Sequence, residues 1–396
     1  MKRYVSLISI ALLATVSSAM AQEKIKIGSA LALTGGLADE GIKQAVAQRM
    51  WVRRVNEAGG IQVGDKKLPV ELVEYDYQSD GNRAAQITEK LINVDKVSFL
   101  LAPYGSGHTK ITATVAERYQ VPIISCVASS ESVFNTGNKY LFGTLASLNS
   151  LTDAMAHLFQ SKMPNTKRLA ILARDDVFPK SVADEAAKSA KALGIDVVYF
   201  ELYATGTMDQ TSALSAMKAS KPDWILGTGY NQDLILLRKQ MSDIGLTAPI
   251  VSMVIGPAVR DFIDGVGPSL AENVTAVTWW HQSQKFTGIG PWRTSADFYN
   301  DFKKENKAEP DFVNAACAAA PIAYQAAIEQ TKSLDRNKVR DALSHLDIQT
   351  FYGRIKFGQN GMNEARDMPI LQVQDNEVKV LYPPAVANAE LRRVDH

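Results

Sequence analysis

The sequence predicts an α/β protein of two lobes, each a mainly parallel sheet flanked by helices, with the chain crossing between lobes more than once. Three observations carry this expectation. Short apolar runs alternate with amphipathic stretches long enough to serve as crossover helices, the pattern of βαβ units. The alternation comes as two series of similar size, with the break near residue 147. A late block of helices and strands follows the second series, as if the chain returns to the first lobe. A length of 396 residues leaves room for roughly two domains.

Taken in order, "KIKIGSALAL" from Lys24 reads as a strand, and "EGIKQAVAQRMWVRRVNEAGG" as a helix stopped by Gly59-Gly60. "LPVELVEYDYQ", "VSFLLAPY" and "VPIISCVA" are strands separated by the helical "NRAAQITEKLINVDK" and "HTKITATVAERYQ". "KYLFGTLAS", residues 139–147, is a connecting strand. The second series follows, with strands "RLAILAR", "VVYFELYA", "DWILGTGY" and "PIVSMVIG" between helical stretches. After "NVTAVTWW" come the helical "SADFYNDFKKENK" and "FVNAACAAAPIAYQAAIEQTK", then strand-like "TFYGRIKFG", "MPILQVQ" and "EVKVLYPP". The expected division is two Rossmann-like lobes joined by a multi-crossing hinge. Residues 22–146 with about 281–370 form one lobe, and 147–280 with about 371–396 the other. In such sheets ligands bind beyond the carboxyl ends of the strands, so facing lobes would put their strand-end loops on opposite walls of one cleft.

Residues 1–21 stand apart. Lys2-Arg3, the apolar "YVSLISIALLATVSS" and Ala19-Met20-Ala21 have the layout of a secretory signal peptide, cleaved near Ala21. The run is short for a membrane span. Of 43 Lys and Arg, loss of Lys2 and Arg3 leaves 41 against 42 Asp and Glu, a net charge near −1, which disfavours nucleic acid or an anionic membrane as partner. The five histidines show no ligand spacing, so no structural metal and no cofactor are expected. Cys126 and Cys317 lie 191 residues apart in apolar, Ala-rich surroundings. Buried free thiols are the preferred reading, although an oxidising compartment permits a disulfide.

The run "LLAPYGSGHT", residues 100–109, frames the functional question. Ser106 stands between two glycines where a strand gives way to a helix. A serine there is a nucleophile, a phosphate grip or a ligand clamp. The two-sided G-x-S-x-G elbow is absent, and no histidine is placed as a triad partner. The phosphate-loop pattern is absent too. The next strand ends in "SCVASSES", where Ala128-Ser129-Ser130 add hydroxyls and N–H groups. Two adjacent polar strand ends at helix N-termini suit one carboxylate, or merely cap the helices.

Several landmarks together resemble the periplasmic leucine/isoleucine/valine-binding proteins, the type I solute receptors of ABC importers. These are "IGSALALTGGLADEGI", "VNEAGGI", "VEYDYQSDGNRA", "APYGSGHT", "VPIIS" and "PDWILGTGY". The resemblance implies a non-catalytic, monomeric receptor in the periplasm that closes about a hinge and docks on an ABC permease of the cytoplasmic membrane. It implies that Ser106 and Ser129 hold the ligand's carboxylate and that the Val127 carbonyl meets its ammonium group. Glu40, Tyr104, Phe178 and Tyr230 fall at other pocket positions. The family's amino-acid binders carry an ammonium-neutralising acid where this sequence has Val254, and no Asp or Glu occurs between 244 and 260. Glu40 and Asp176 are then the nearest acids by pattern. The expected ligand is a small amphipathic carboxylate, either a branched-chain or other apolar amino acid, or an amine-free or aromatic acid. Trp279, Trp280 and Phe286 would pack the hinge or widen the site. A sensor input module and, more distantly, a secreted serine hydrolase remain as alternatives.

Overall fold

The computed structural model describes residues 23–365 and 368–394. The leader expected over residues 1–21 lies outside the described residues.

The chain begins with β1 (Ile25–Leu31), α1 (Ala38–Glu57), a small hairpin of β2 (Ile61–Val63) and β3 (Lys66–Leu68), and β4 (Val70–Asp76). It continues through α2 (Gly81–Asn93), β5 (Phe99–Leu101), α3 (Ser106–Arg118), β6 (Ile123–Ser125), the one-turn α4 (Glu131–Phe134) and β7 (Leu141–Ala146). Five of these strands pair in the order β7-β6-β5-β1-β4, all parallel. Central β5 and β6 are buried throughout, which is why they read as unbroken apolar runs rather than alternating ones.

The second series comprises α5 (Leu148–Lys162), β8 (Arg168–Arg174), α6 (Val177–Ala192), β9 (Asp196–Tyr203), α7 (Thr211–Ala219), β10 (Trp224–Thr228), α8 (Asn231–Asp243) and β11 (Ile250–Met253). A 3-10 turn at Gly256–Ala258, α9 (Arg260–Val266), α10 (Pro268–Ala271) and β12 (Thr275–Val277) complete it. The strand order is β12-β11-β10-β8-β9, again parallel.

The late block is α11 (Ser295–Asn306), α12 (Phe312–Thr331), α13 (Arg336–Ser344), the hairpin β13 (Asp347–Thr350) and β14 (Gly353–Lys356), then β15 (Met362–Asn363), β16 (Ile370–Gln374) and β17 (Glu377–Tyr382). β15 joins the first sheet beside β7; β16 extends the second sheet antiparallel to β12, and β17 pairs antiparallel with β16 at its edge. The chain therefore passes from one sheet to the other after β7, after β12, and between β15 and β16. The first two passages are tied, since the Trp279 indole N–H donates to the Ala146 carbonyl at 3.2 Å.

Helix α12 shows how the return is built. Its run of alanines is buried almost end to end, and small side chains let it lie close under the first lobe. The Tyr324 hydroxyl sits 2.8 Å from the Leu100 carbonyl and 2.7 Å from that of Pro122, and Asn314 donates to the Lys43 carbonyl at 3.0 Å. The expectation of free thiols is overturned here. Cys126, just past β6, and Cys317, in α12, form a disulfide with their Cα atoms 4.9 Å apart. The helix that brings Cys317 home comes from the far end of the chain, so neither local composition nor spacing announces the pair.

Candidate functional site

The site is assembled from loops at the carboxyl ends of strands in both sheets, where open parallel sheets present their ligands. From the first sheet come the loop after β5, with Tyr104 and Gly105, and the loop after β6, with Val127 to Ser130. From the second come Phe178 at the start of α6, Tyr230 before α8, and Ile255 after β11. Phe312 arrives at the N-terminus of α12. One chamber is lined by Tyr104, Gly105, Val127, Ser129, Leu145, Phe178, Tyr230, Ile255, Trp279 and Phe312, with space for about one water molecule. All ten are buried.

Its walls are aromatic. Phe178 stacks on Tyr230 at 6.1 Å between ring centroids, Tyr104 meets Tyr230 edge-on at 6.0 Å, and Trp279 lies 5.3 Å from Phe312. Burial pushes the hydroxyls of Tyr104 and Tyr230 well above the usual tyrosine range, so both are neutral donors. Arg174 covers the Tyr230 ring at 5.0 Å and is itself paired with Asp233 at 3.0 Å and Asp176 at 3.5 Å.

The polar end lies where α3 begins. Gly105 takes φ +87°, and a Cβ there would come 3.1 Å from the Tyr230 hydroxyl, so the turn into α3 suits glycine on both counts. No side chain caps this helix N-terminus. Ser106, fully buried, accepts the N–H groups of Ser129 at 3.3 Å and Ser130 at 3.4 Å, which stitches the two strand-end loops together. Ser106 does not line the chamber itself. Ser129 does, and its hydroxyl is buried without a hydrogen-bond partner. An uncapped helix N-terminus and an unpartnered hydroxyl are thus brought to one end of the chamber, the chemistry that favours a negative group.

Tyr104, Val127, Ser129, Phe178 and Tyr230 are thus brought together as expected from the sequence, with Ser106 directly behind. Glu40 lies in a second chamber, lined by Asp39, Glu40, Lys43, Tyr104, Asn231, Ile255, Val259, Asp261, Phe312 and Val313. Asp176 caps α6 through the Val177 N–H at 2.6 Å and faces Arg174, so its charge is already engaged. Val254 is a correction. Its N–H continues the β10 ladder to the Gly227 carbonyl at 3.3 Å, its side chain is buried, and it lines neither chamber. The next residue, Ile255, turns at φ +67°, rare for a β-branched side chain, and lines both. Of the hinge aromatics only Trp279 lines the site; Trp280 packs edge-on against Phe298 instead. Leu145, Ile255, Phe312 and Asn231 were not expected; the one local cue was Asn231, adjoining Tyr230.

Among the described residues no group of His, Cys, Asp and Glu could hold a metal ion. No helix among them is long and apolar enough to cross a membrane.

Two strand-end walls meeting at a buried, aromatic chamber with one polar end are the layout of a solute receptor of the two-lobed α/β class. The family model described as periplasmic binding protein matches residues 24–377, and the chain belongs to that family. Its members are non-enzymatic receptors. Leu/Ile/Val-binding protein homolog 7 of Brucella abortus (strain 2308) is 27% identical over 407 residues, covering 99% of each chain. The isoleucine complex of the branched-chain amino acid transporter substrate-binding protein LivJ from Streptococcus pneumoniae superposes with TM-score 0.80 at 22% identity, covering 94% of this chain and all of that one. An R. palustris ABC transporter solute-binding protein in complex with benzoate gives TM-score 0.79 at 17% identity, covering 93% and 98%.

Proposed function

We propose that the protein is an extracytoplasmic receptor that delivers a small amine-free carboxylate, with an apolar or aromatic body, to an ABC permease. One observation carries the choice of ligand: the chamber holding the unpartnered Ser129 hydroxyl is lined by no acid. A buried ammonium without a counter-charge is costly, by several kcal/mol even after relaxation. The carboxylate sits between Ser129 and the start of α3, and the body lies against Phe178, Tyr230 and Trp279. Leucine, isoleucine or valine is the second reading, favoured by the name of the Brucella relative.

Calorimetry on matched pairs separates the two: leucine against 4-methylpentanoate, and phenylalanine against 3-phenylpropanoate. The amine-free acids are expected to bind as well or better. Amino acids binding tenfold tighter, about 1.4 kcal/mol, would make the protein an amino-acid receptor. Ser129→Ala should weaken the acid that binds by about 1–3 kcal/mol, the worth of a hydrogen bond to a charged group, and Ser106→Ala should weaken it indirectly, by releasing the Ser129 and Ser130 N–H groups that hold the loop in place. Unchanged affinity in both variants would place the carboxylate elsewhere.

A further inference from the structure

The second chamber adjoins the first across Tyr104, Ile255 and Phe312, which line both. It draws on both lobes, with Glu40 in the first turn of α1 and Asn231 at the start of α8. Asn231 is 2% exposed, and neither its amide nitrogen nor its amide oxygen has a hydrogen-bond partner. A buried amide that makes none of its bonds is costly to the protein alone and calls for a partner. Glu40 is beside it: one carboxylate oxygen accepts the Asn231 backbone N–H at 3.3 Å, which leaves acceptor capacity over.

The charges narrow what that partner can be. Lys43, the one base in the chamber, is held by Asp261 at 2.5 Å and Asp311 at 2.8 Å. Asp39 accepts from Gln232 at 2.7 Å. The chamber therefore has no free cation for a second carboxylate, and Glu40 would repel one. A donor is wanted by Glu40, while the Asn231 amide offers both a donor and an acceptor. A hydroxyl satisfies both residues at once.

We infer that the ligand is a monocarboxylate bearing a hydroxyl at the end away from its carboxylate, and that Glu40 and Asn231 recognise that hydroxyl. The inference rests on the carboxylate reading above, since Ser129 and the start of α3 fix which end of the ligand enters the first chamber. Each chamber as it stands has room for about one water molecule, so the lobes must part to admit the ligand; Ile255, Tyr104 and Phe312 then grip its middle, where the two chambers meet.

The test is calorimetry of the whole receptor with benzoate, 4-hydroxybenzoate, terephthalate and leucine. 4-Hydroxybenzoate is expected to bind at least about tenfold more tightly than benzoate, because a site built to hydrogen-bond a hydroxyl penalises the analogue that lacks it. Terephthalate, with a second carboxylate in place of the hydroxyl, is expected to bind more weakly than benzoate. Glu40→Gln and Asn231→Ala should each reduce the ratio between 4-hydroxybenzoate and benzoate to below about threefold. If one of the two does not fold, as read by its melting transition, the other decides. Equal affinity for the first two acids, a ratio that survives in the folded variants, tighter binding of terephthalate, or binding of leucine alone would overturn the inference while leaving a carboxylate receptor. Binding of none of the four would overturn the carboxylate reading along with it.

Discussion

Glu40 is a carboxyl taken out of water between the lobes. Burial raises its pKa from 4.5 to about 6, against the opposing pull of backbone N–H groups and Lys43. The ionised form is the disfavoured one, so the group's contribution to stability is intact below pH 4.5 and is lost as pH rises through 6. The size is about 2 kcal/mol, from one and a half units at about 1.36 kcal/mol each. His281 acts in the opposite sense: burial lowers its pKa from 6.5 to about 4, so its contribution holds above 6.5 and is lost on acidification towards 4. A raw pH profile mixes the two, and the difference between the native protein and Glu40→Gln isolates the first. Urea unfolding at pH 4.5 and 7.5 should show the variant gaining by about 2 kcal/mol relative to the native chain at the higher pH; a difference independent of pH would mean the carboxyl is solvated. Most residues of the site were legible because strand-end loops can be located from apolar runs, and Ser129 and Tyr230 follow such runs directly. Val254 and Ile255 show the limit. Which of two neighbouring apolar residues faces the cleft is decided by a single left-handed φ, and nothing in the composition of "SMVIG" marks it.

At the scale of elements, the disulfide joins the loop after β6 to α12. Cys126 immediately precedes Val127, and α12 carries Phe312 at its first position, so the bond couples two walls of one chamber. It closes a loop across a separation of 191 residues. Chain entropy assigns such a loop about 5 kcal/mol, at the top of the 2–5 kcal/mol that loss of a native disulfide typically costs. Reduction with dithiothreitol should therefore lower the melting temperature, and Cys126→Ser/Cys317→Ser should match the reduced protein; an unchanged melting point on verified reduction would count against the coupling. The alternation of helix and strand was legible because each buried strand is short and each helix has its own stop. The pairing of the cysteines was not, because it depends on where α12 packs. The small hairpin of β2 and β3, and α13, carry no unbroken apolar run of the kind that marks β5 and β6: β3 opens on two lysines, and α13 buries only Val339, Ala342 and Leu343.

For the molecule as a whole, the lobes touch on several lines. Asn231 donates to Glu40, Gln232 to Asp39, and the Ser130 hydroxyl to the Val177 carbonyl at 3.4 Å, while Lys43 pairs with Asp261. Asp261 is half exposed, so its pair contributes only about 0–1 kcal/mol. Removing it together with the Gln232 contact, in Gln232→Ala/Asp261→Asn, should shift the unliganded protein towards a more open form. Solution scattering should show a larger radius of gyration without ligand and an unchanged one at saturation with the tightest acid of the panel, and affinity should fall by about two- to fivefold. Equal radii in both states would make the lobes a rigid pair. The two-lobe plan and the late return of the chain were visible in the order of elements, whereas these contacts depend on loops that meet only after both lobes have formed. The burial of all ten residues around the first chamber has a kinetic meaning. Ser129 is fully buried beside a space for about one water molecule, so an organic acid reaches it only as the lobes part. Entry waits for the gate, and so does escape. Two acids of very different affinity can then share one residence time, set by how often the protein opens, and differ instead in how readily the open form recloses upon them.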